Sequence, residues 1–185
     1  MCQFLSALVL KNGDVITHPM LDSHSDLVRY FKLPDTTTYI DRFAKVELTP
    51  VDWMDVSTWQ WRLDEGMVPA WWADVAESAE KKLRDRASRM ILKTGEHELI
   101  VDGCWIIGGD ANVRDVRSGR IMRVQDSASI RDVGGSASIS NVWGSASIRN
   151  VGGSASIRDV GGSASISNVW DSVLMDETAK ARVVR

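Results

Sequence analysis

Apolar and polar residues repeat with a period of nine from Ser127 onward. Residues 127–135 read SASIRDVGG, and the apolar positions of Ala128, Ile130 and Val133 recur in the four nine-residue stretches that follow. Ala and Ile stand two residues apart between serines, which places them on one face of a strand and the serines on the other. Gly-Gly or Trp-Gly pairs close the first four stretches and supply the bends between strands.

This periodicity predicts a β-solenoid. Two less regular copies, SGRIMRVQD at 118–126 and DANVRDVR at 110–117, precede the strict repeats. Nine residues leave no room for a helix between bends, and one such stretch cannot bury its apolar face alone. Stacked coils solve both problems, because Ile then lies over Ile and Val over Val in a continuous core.

The number of stretches in one coil follows from a longer repeat. The sequence of 127–143 recurs without change at 154–170, so the copy is displaced by three of the nine-residue stretches. We therefore predict three stretches per coil and a triangular solenoid, in which Trp143 stacks with Trp170. Two stretches per coil is the alternative, and it separates the two tryptophans onto opposite faces. A duplication of coding sequence without regard to coil geometry would also produce the copy.

The chain before the repeats has the pattern of a small α+β domain. Apolar runs on either side of Asn12-Gly13 predict a β-hairpin over 3–18, because this pair favours a tight turn. Asp22 or Ser23 is a candidate cap for a short helix. An apolar stripe with period 3.6 predicts a long helix over 70–92. We predict three segments: an α+β domain at 1–95, a β-solenoid at 96–171, and a tail or cap at 172–185.

Composition narrows the class of protein. The chain has 185 residues, 44% hydrophobic residues, a formal net charge of −3 and two cysteines. Residues 109–171 hold seven basic and six acidic side chains, so charge alone does not indicate a nucleic-acid surface. The apolar runs are too short to cross a bilayer, and no basic leader precedes the first one. We expect a cytoplasmic protein without a membrane partner or a disulfide framework.

Five residues of the repeats are the predicted binding residues. Arg131, Arg149 and Arg158 follow the core isoleucines and must point outward, where a ladder of them would meet acidic side chains or phosphates. Acidic residues follow two of them, so neutralised Arg-Asp pairs on a solvated face are the alternative. Trp143 and Trp170 replace glycine at bends, and an exposed tryptophan at a bend marks a contact surface. The alternative is that they pack on the tail or on each other.

No catalytic residue, metal ligand or cofactor is predicted. The three histidines have no ligand spacing. The repeats differ from the calcium-binding RTX pattern, because Ile130 and its equivalents stand where that pattern has its Asp ligand. Cys2 resembles the start of N-terminal nucleophile hydrolases, but those enzymes need a larger four-layer fold.

The layout as a whole resembles a group of uncharacterised phage and prophage proteins. The matching segments are Asp22-Ser23-His24, Pro69-Ala70-Trp71-Trp72, Gly103-Cys104-Trp105-Ile106 and the tandem repeats. The resemblance implies a mobile-element origin and supplies no activity. Small phage proteins of this kind often act by binding, including by blocking host defences.

Three hypotheses of function follow. The first is a non-enzymatic binding protein whose solenoid presents a repeated surface to a macromolecular partner, a host protein rather than nucleic acid. The second is an enzyme or small-ligand-binding protein with its site in the N-terminal domain. The third is a self-assembling protein whose solenoid ends stack, and a homo-oligomer is expected there.

Overall fold

The structure, a computed structural model, describes residues 5–34, 41–170, 172–180 and 183–184. It divides into two compact units, Met1–Arg89 and Met90–Arg185. The first is a small α+β unit and the second is a β-solenoid, as the repeat pattern predicts.

The described part of the first unit contains one antiparallel sheet in the order β2-β1-β3-β4. Its strands are β1 (Leu5–Leu10), β2 (Val15–Ile16), β3 (Phe43–Thr49) and β4 (Gln60–Leu63). The predicted hairpin is confirmed, with one difference at its turn. The amide of Leu10 donates to the carbonyl of Asp14 at 2.8 Å, so the loop has three residues. Gly13 takes a φ of 81°, as such a loop requires.

The described part of this unit contains two α-helices, and both were predicted. Helix α1 (His24–Tyr30) begins at Ser23, whose hydroxyl accepts a hydrogen bond from the amide of Asp26. It buries Leu27 and Val28. Helix α2 (Trp72–Ser88) is shorter at both ends than the sequence pattern suggested, and it buries its Ala79, Leu83 and Ala87. The apolar stripe therefore identifies the inward face of α2 correctly.

The described part of the second unit forms two six-stranded parallel sheets. We call them the front sheet and the back sheet. The front sheet comprises β6 (Glu96–Ile100), β8 (Asn112–Val116), β10 (Ser129–Val133), β12 (Ser147–Val151), β14 (Ser165–Ser167) and β16 (Val183–Val184). The back sheet comprises β5 (Ile91–Leu92), β7 (Cys104–Ile107), β9 (Arg120–Val124), β11 (Ser138–Ile139), β13 (Ser156–Ile157) and β15 (Leu174–Met175). The solenoid thus begins at Ile91, earlier than the predicted residue 96.

The prediction of three stretches per coil is wrong. In the front sheet Ile130 pairs with Ile148, and in the back sheet Ile139 pairs with Ile157. The partners in each pair are two stretches apart, so one coil contributes one strand to each sheet. A displacement of either two or three stretches stacks Ile on Ile, and the apolar pattern cannot separate them.

The solenoid core lies between the two sheets and consists of columns of identical side chains. Ile130, Ile148 and Ile166 form a column on the front sheet, and each is at most 1% exposed. Isoleucines of the back sheet and columns of alanine and valine complete the same cluster. Burying an isoleucine stabilises the fold by roughly 1.5–3 kcal/mol, so each added coil contributes to one continuous core.

The tail forms the last coil, with β15 in the back sheet and β16 in the front sheet. Besides β15 and β16 it contains α3 (Glu177–Lys180), whose Ala179 is fully buried in the solenoid core. The carboxylate of Asp176 accepts hydrogen bonds from the amides of Asp159 and Ala179, both at 2.9 Å, and from the hydroxyl of Thr178. These bonds, first among them the one from Asp159, lower the pKa of Asp176.

We predict that Gly135→Ala destabilises the protein and that the neighbouring Gly134→Ala does not. Gly135 has a φ of 57°, and a Cβ there would lie 2.0 Å from the carbonyl oxygen of Arg117 in the adjacent coil. A Cβ at Gly134 meets nothing within 4 Å. Urea unfolding should show a loss of about 2 kcal/mol or more for the first variant only. Equal stability of the two variants would contradict this description of the bend.

We predict that Asp176 stabilises the last coil in a pH-dependent way. Because folding lowers its pKa, the carboxylate contributes fully above its unfolded value of about 3.9. That contribution is lost as the pH falls through the lower folded-state pKa. Asp176→Asn should therefore reduce hydrogen-exchange protection at Ala179 near pH 7, and the difference from wild type should shrink at acidic pH. A difference that is constant with pH would rule out this role of the charge.

Candidate functional site

Arginines of three successive coils form a column on the front sheet. Arg114, Arg131 and Arg149 each follow the inward residue of β8, β10 and β12, and each is exposed. Strands in such a sheet lie about 4.8 Å apart, so three cations follow one another at that spacing. Arg158 does not belong to the column. It follows β13 in the back sheet, where its amide donates to the carbonyl of Ile139, so the predicted ladder of Arg131, Arg149 and Arg158 is wrong at Arg158.

Ion pairs occupy part of this column. Arg114 contacts Glu98 at 2.7 Å, and Arg131 lies 3.6 Å from the carboxylate of Asp132. Arg149 is followed by Asn150 rather than by an acid, and it has no ion-pair partner among the described residues. The interpretation as neutralised Arg-Asp pairs therefore fits Arg131 and leaves Arg149 as a free cation on the described surface.

A second column, of acids and amides, runs beside the arginines. It consists of Asp115, Asp132, Asn150 and Asn168, one residue from each coil. The Asn168 amide donates to the Asn150 side-chain oxygen at 2.9 Å, and the Asn150 amide donates to Asp132 Oδ1 at 2.6 Å. Asp115 instead accepts from Arg117 at 2.8 Å. The front sheet thus carries a positive column next to an acid–amide column.

The two tryptophans stand at different bends of the coil. Trp143 lies where the chain leaves the back sheet, and Trp170 lies where it leaves the front sheet. Each ring packs on a glycine of a neighbouring coil. A Cβ at Gly161 would lie 2.8 Å from Trp143, and a Cβ at Gly152 would lie 3.0 Å from Trp170. The side chains remain 43% and 56% exposed, so both are available to a partner.

The bend that carries Trp170 contains a cavity. The amides of Gly134, Gly152 and Trp170 each donate to the valine carbonyl one coil earlier, so these residues form one column that begins at Arg117. The two glycines leave a gap of about 370 Å³ between Arg117 and Trp170. Asp115, Asp132 and Asn150 line its side. We call this gap the Gly134 notch.

The first unit contains a cluster of His24, Glu47 and Asp64, whose ligand atoms lie within 4.8 Å of one another. Two observations argue against a metal or catalytic site. Arg62 lies 2.6 Å from Glu47 and 3.3 Å from Asp64, so it already compensates both carboxylates. The Nε2 atom of His24 is 2.9 Å from the carbonyl of Val46, and its Nδ1 atom is 3.4 Å from Asp64. Because a carbonyl only accepts, the Nε2 atom donates to Val46 and is not available as a base or as a metal ligand.

Two further features of the first unit bear on a ligand site there. Trp61 and Trp72 stack at 6.0 Å and are half-buried, whereas Trp59 is in the core. A cavity of 440 Å³ is lined by Val15 and by charged residues of both signs: Asp14, Lys82, Asp85, Arg86 and Arg89. Most of its cations lie at the carboxyl end of α2, where the helix dipole disfavours an anion. This cavity is a weaker candidate than the solenoid surface.

Comparison with protein-family models, with curated proteins and with solved structures gives no match. The resemblance to phage and prophage proteins therefore stays a prediction. No helix among the described residues is long and apolar enough to cross a membrane. Cys2, the candidate nucleophile of the enzyme hypothesis, lies outside the described residues.

Sequence reasoning missed the acid–amide column and the Gly134 notch. Asp115, Asp132 and Asn150 occupy one position in successive coils, but they line up only when the coil has the correct length. A search for polar residues that recur at every second stretch would have found them. The cluster around His24 has no such signal, because Glu47 and Arg62 meet through the pairing of β3 with β4.

We predict that Arg62→Ala destabilises the first unit. It leaves the carboxylate of Glu47, which is 2% exposed, without its ion-pair partner. Thermal or urea unfolding should show a loss of about 1–3 kcal/mol. Glu47→Gln in the same chain should recover part of the loss, because it removes the uncompensated charge. Arg29→Ala, at an exposed pair with Asp26, should change stability by about 0.5 kcal/mol or less. Equal losses at both arginines would contradict this assignment.

Proposed function

We propose that this chain is a non-enzymatic binding protein whose solenoid docks a protein partner through the front sheet. The observation that carries the proposal is the pair of columns on that sheet. Arg131 and Arg149 form part of one, and Asp132 and Asn150 form part of the other. Trp170 stands at the edge of the same surface and is 56% exposed.

The mixture of charges favours a protein over a nucleic acid. A nucleic-acid surface is a basic patch, because affinity comes mainly from neutralising phosphates. Here an acid of the second column stands beside Arg131, and it would repel a phosphate backbone. Columns of opposite sign suit a protein surface with complementary charges, and an exposed tryptophan is the residue type most enriched in binding hot spots.

The back sheet supports this assignment by contrast. The outward positions that correspond to one another there are Met122, Ser140, Arg158 and Asp176, which share no chemistry. Ser140 is also buried. A repeated column of arginines is therefore present on the front sheet and not among the described residues of the back sheet.

The origin and the partner are proposed from the resemblance. If the chain is phage-encoded, it acts in the host cytoplasm, and a host defence protein is the first partner to test. The competing hypothesis is end-to-end assembly, since β15 and β16 end the two sheets among the described residues without a further strand. Light scattering over a concentration series separates that hypothesis from a discrete oligomer.

We predict that the tagged full-length chain captures a protein from a bacterial lysate, and that nuclease treatment does not abolish this binding. Once mass spectrometry identifies it, calorimetry with the purified partner measures the affinity. Arg131→Ser with Arg149→Ser, and separately Trp170→Ser, should weaken binding at least about tenfold, or about 1.4 kcal/mol. Serine is a fitting replacement, because Ser167 occupies the same column position in the next coil.

The matched controls are Arg158→Ser on the back sheet and Trp143→Ser at the bend opposite Trp170. They lie in the same repeated sequence and should leave the affinity within about twofold. Loss of binding in these controls alone would move the interface to the back sheet. Binding that nuclease abolishes would overturn the choice of a protein partner.

A further inference from the structure

The Gly134 notch is lined by two carboxylates, one guanidinium and one aromatic ring. It lies on the column of Arg117, Gly134, Gly152 and Trp170, which the amide-to-carbonyl bonds between coils define. A Cβ at Gly134 would meet nothing within 4 Å. The floor of the notch is therefore open space between two large side chains.

Asp132 supplies an acceptor at the side of the notch. Its Oδ1 atom accepts the amide of Asn150 at 2.6 Å. Its Oδ2 atom lies 3.6 Å from Arg131, beyond hydrogen-bond distance, and accepts no hydrogen bond among the described residues. About 42% of the Asp132 side chain is exposed. One carboxylate oxygen thus remains available to a donor from outside.

The charge of Arg117 does not cancel this acceptor. Its Nε atom donates to Asp115 at 2.8 Å, so those two side chains neutralise each other. The negative charge of Asp132 is offset less well, since its contact with Arg131 is long and exposed.

Trp170 supplies an aromatic wall. Its six-membered ring packs on Gly152, and more than half of the residue stays exposed at the end of the notch. An indole face attracts a cation within about 6 Å of its centre, and a guanidinium is planar and stacks on such a face. A guanidinium also donates two parallel hydrogen bonds to a carboxylate, which an ammonium group cannot do.

We propose that the Gly134 notch binds an arginine side chain of the protein partner, between Trp170 and Asp132. The proposal rests on the proposed function for the identity of the partner, but the notch can be tested without it. The carboxylate of Asp132 would accept hydrogen bonds from the guanidinium, and the Trp170 ring would cover one face of the guanidinium. The aliphatic part of the arginine would lie over the glycine floor.

The test titrates Nα-acetyl-arginine amide into the isotope-labelled full-length chain and follows the indole N–H signals by NMR. We expect a saturable shift of the Trp170 signal, with the Trp143 signal unchanged. Nα-acetyl-citrulline amide has nearly the same shape without the charge, and it should bind at least about tenfold more weakly. Equal shifts with both compounds, or no shift of Trp170, would overturn the proposal.

Two variants probe the notch itself, and both use residues that this solenoid already places at the equivalent position. Asp132→Asn copies Asn150 of the next coil, and Gly134→Trp copies the residue at Trp170. Each should lower the affinity for Nα-acetyl-arginine amide at least about tenfold. Asp159→Asn is the control, because Asp159 lies in the second copy of the same sequence on the other side of the coil. Arginine binding that Asp132→Asn leaves unchanged would overturn the proposal.

The outcomes separate this inference from the proposed function. If partner binding depends on Trp170 but the chain does not respond to Nα-acetyl-arginine amide, the proposed front-sheet interface is supported. The proposal that the notch binds arginine is then overturned. A specific response to arginine in a chain that captures no protein would keep the notch and overturn the proposed protein-binding function.

Discussion

The vertical register between coils is the constraint on which the solenoid depends. Each inward Ile, Val or Ala lies on its equivalent in the next coil, and the parallel hydrogen bonds hold that alignment. A slip of one residue would turn every apolar side chain toward solvent, so one face of each strand fixes the position of all the others. The bends have equally little freedom. The backbone at Gly135 passes so close to Arg117 that no side chain fits between them.

The surface chemistry is a by-product of this register. Once the inward residues are aligned, any outward residue that recurs must form a column at the spacing of the strands. The arginine column and the acid–amide column both arise in this way, and neither needs a contact of its own to be positioned. The Gly134 notch has the opposite origin, since it lies where two glycines interrupt a column that starts with Arg117 and ends with Trp170.

The sequence was sufficient to predict the solenoid, the hairpin at Gly13, the cap at Ser23 and the inward face of α2. Each of these depends on local periodicity or on one residue with a strong conformational preference. The coil length was not predictable in this way, because the apolar pattern is equally satisfied by two or three stretches in a coil. The error then carried over to the site, where Arg158 was placed in one ladder with Arg131 and the alignment of Asp132 with Asn150 was missed. The two copies of SASIRDVGG also differ in structure: β10 has five residues and β13 has two, and Asp159 takes a φ of 33°. Neighbouring coils, rather than the local sequence, produce that difference.

The displacement between residues 127–143 and their exact copy at 154–170 has a consequence for how the number of repeats can change in evolution. Three stretches equal one and a half coils, so the copied segment returns on the other side of the molecule. Gain or loss of a whole coil would lengthen or shorten the existing columns. Gain or loss of half a coil would move every later strand of the repeats from one sheet to the other. The inward Ile, Val and Ala would still stack on their equivalents. A single slippage event can therefore present a new face without disturbing the fold, and selection can act on the parity of the repeat number as well as on single residues.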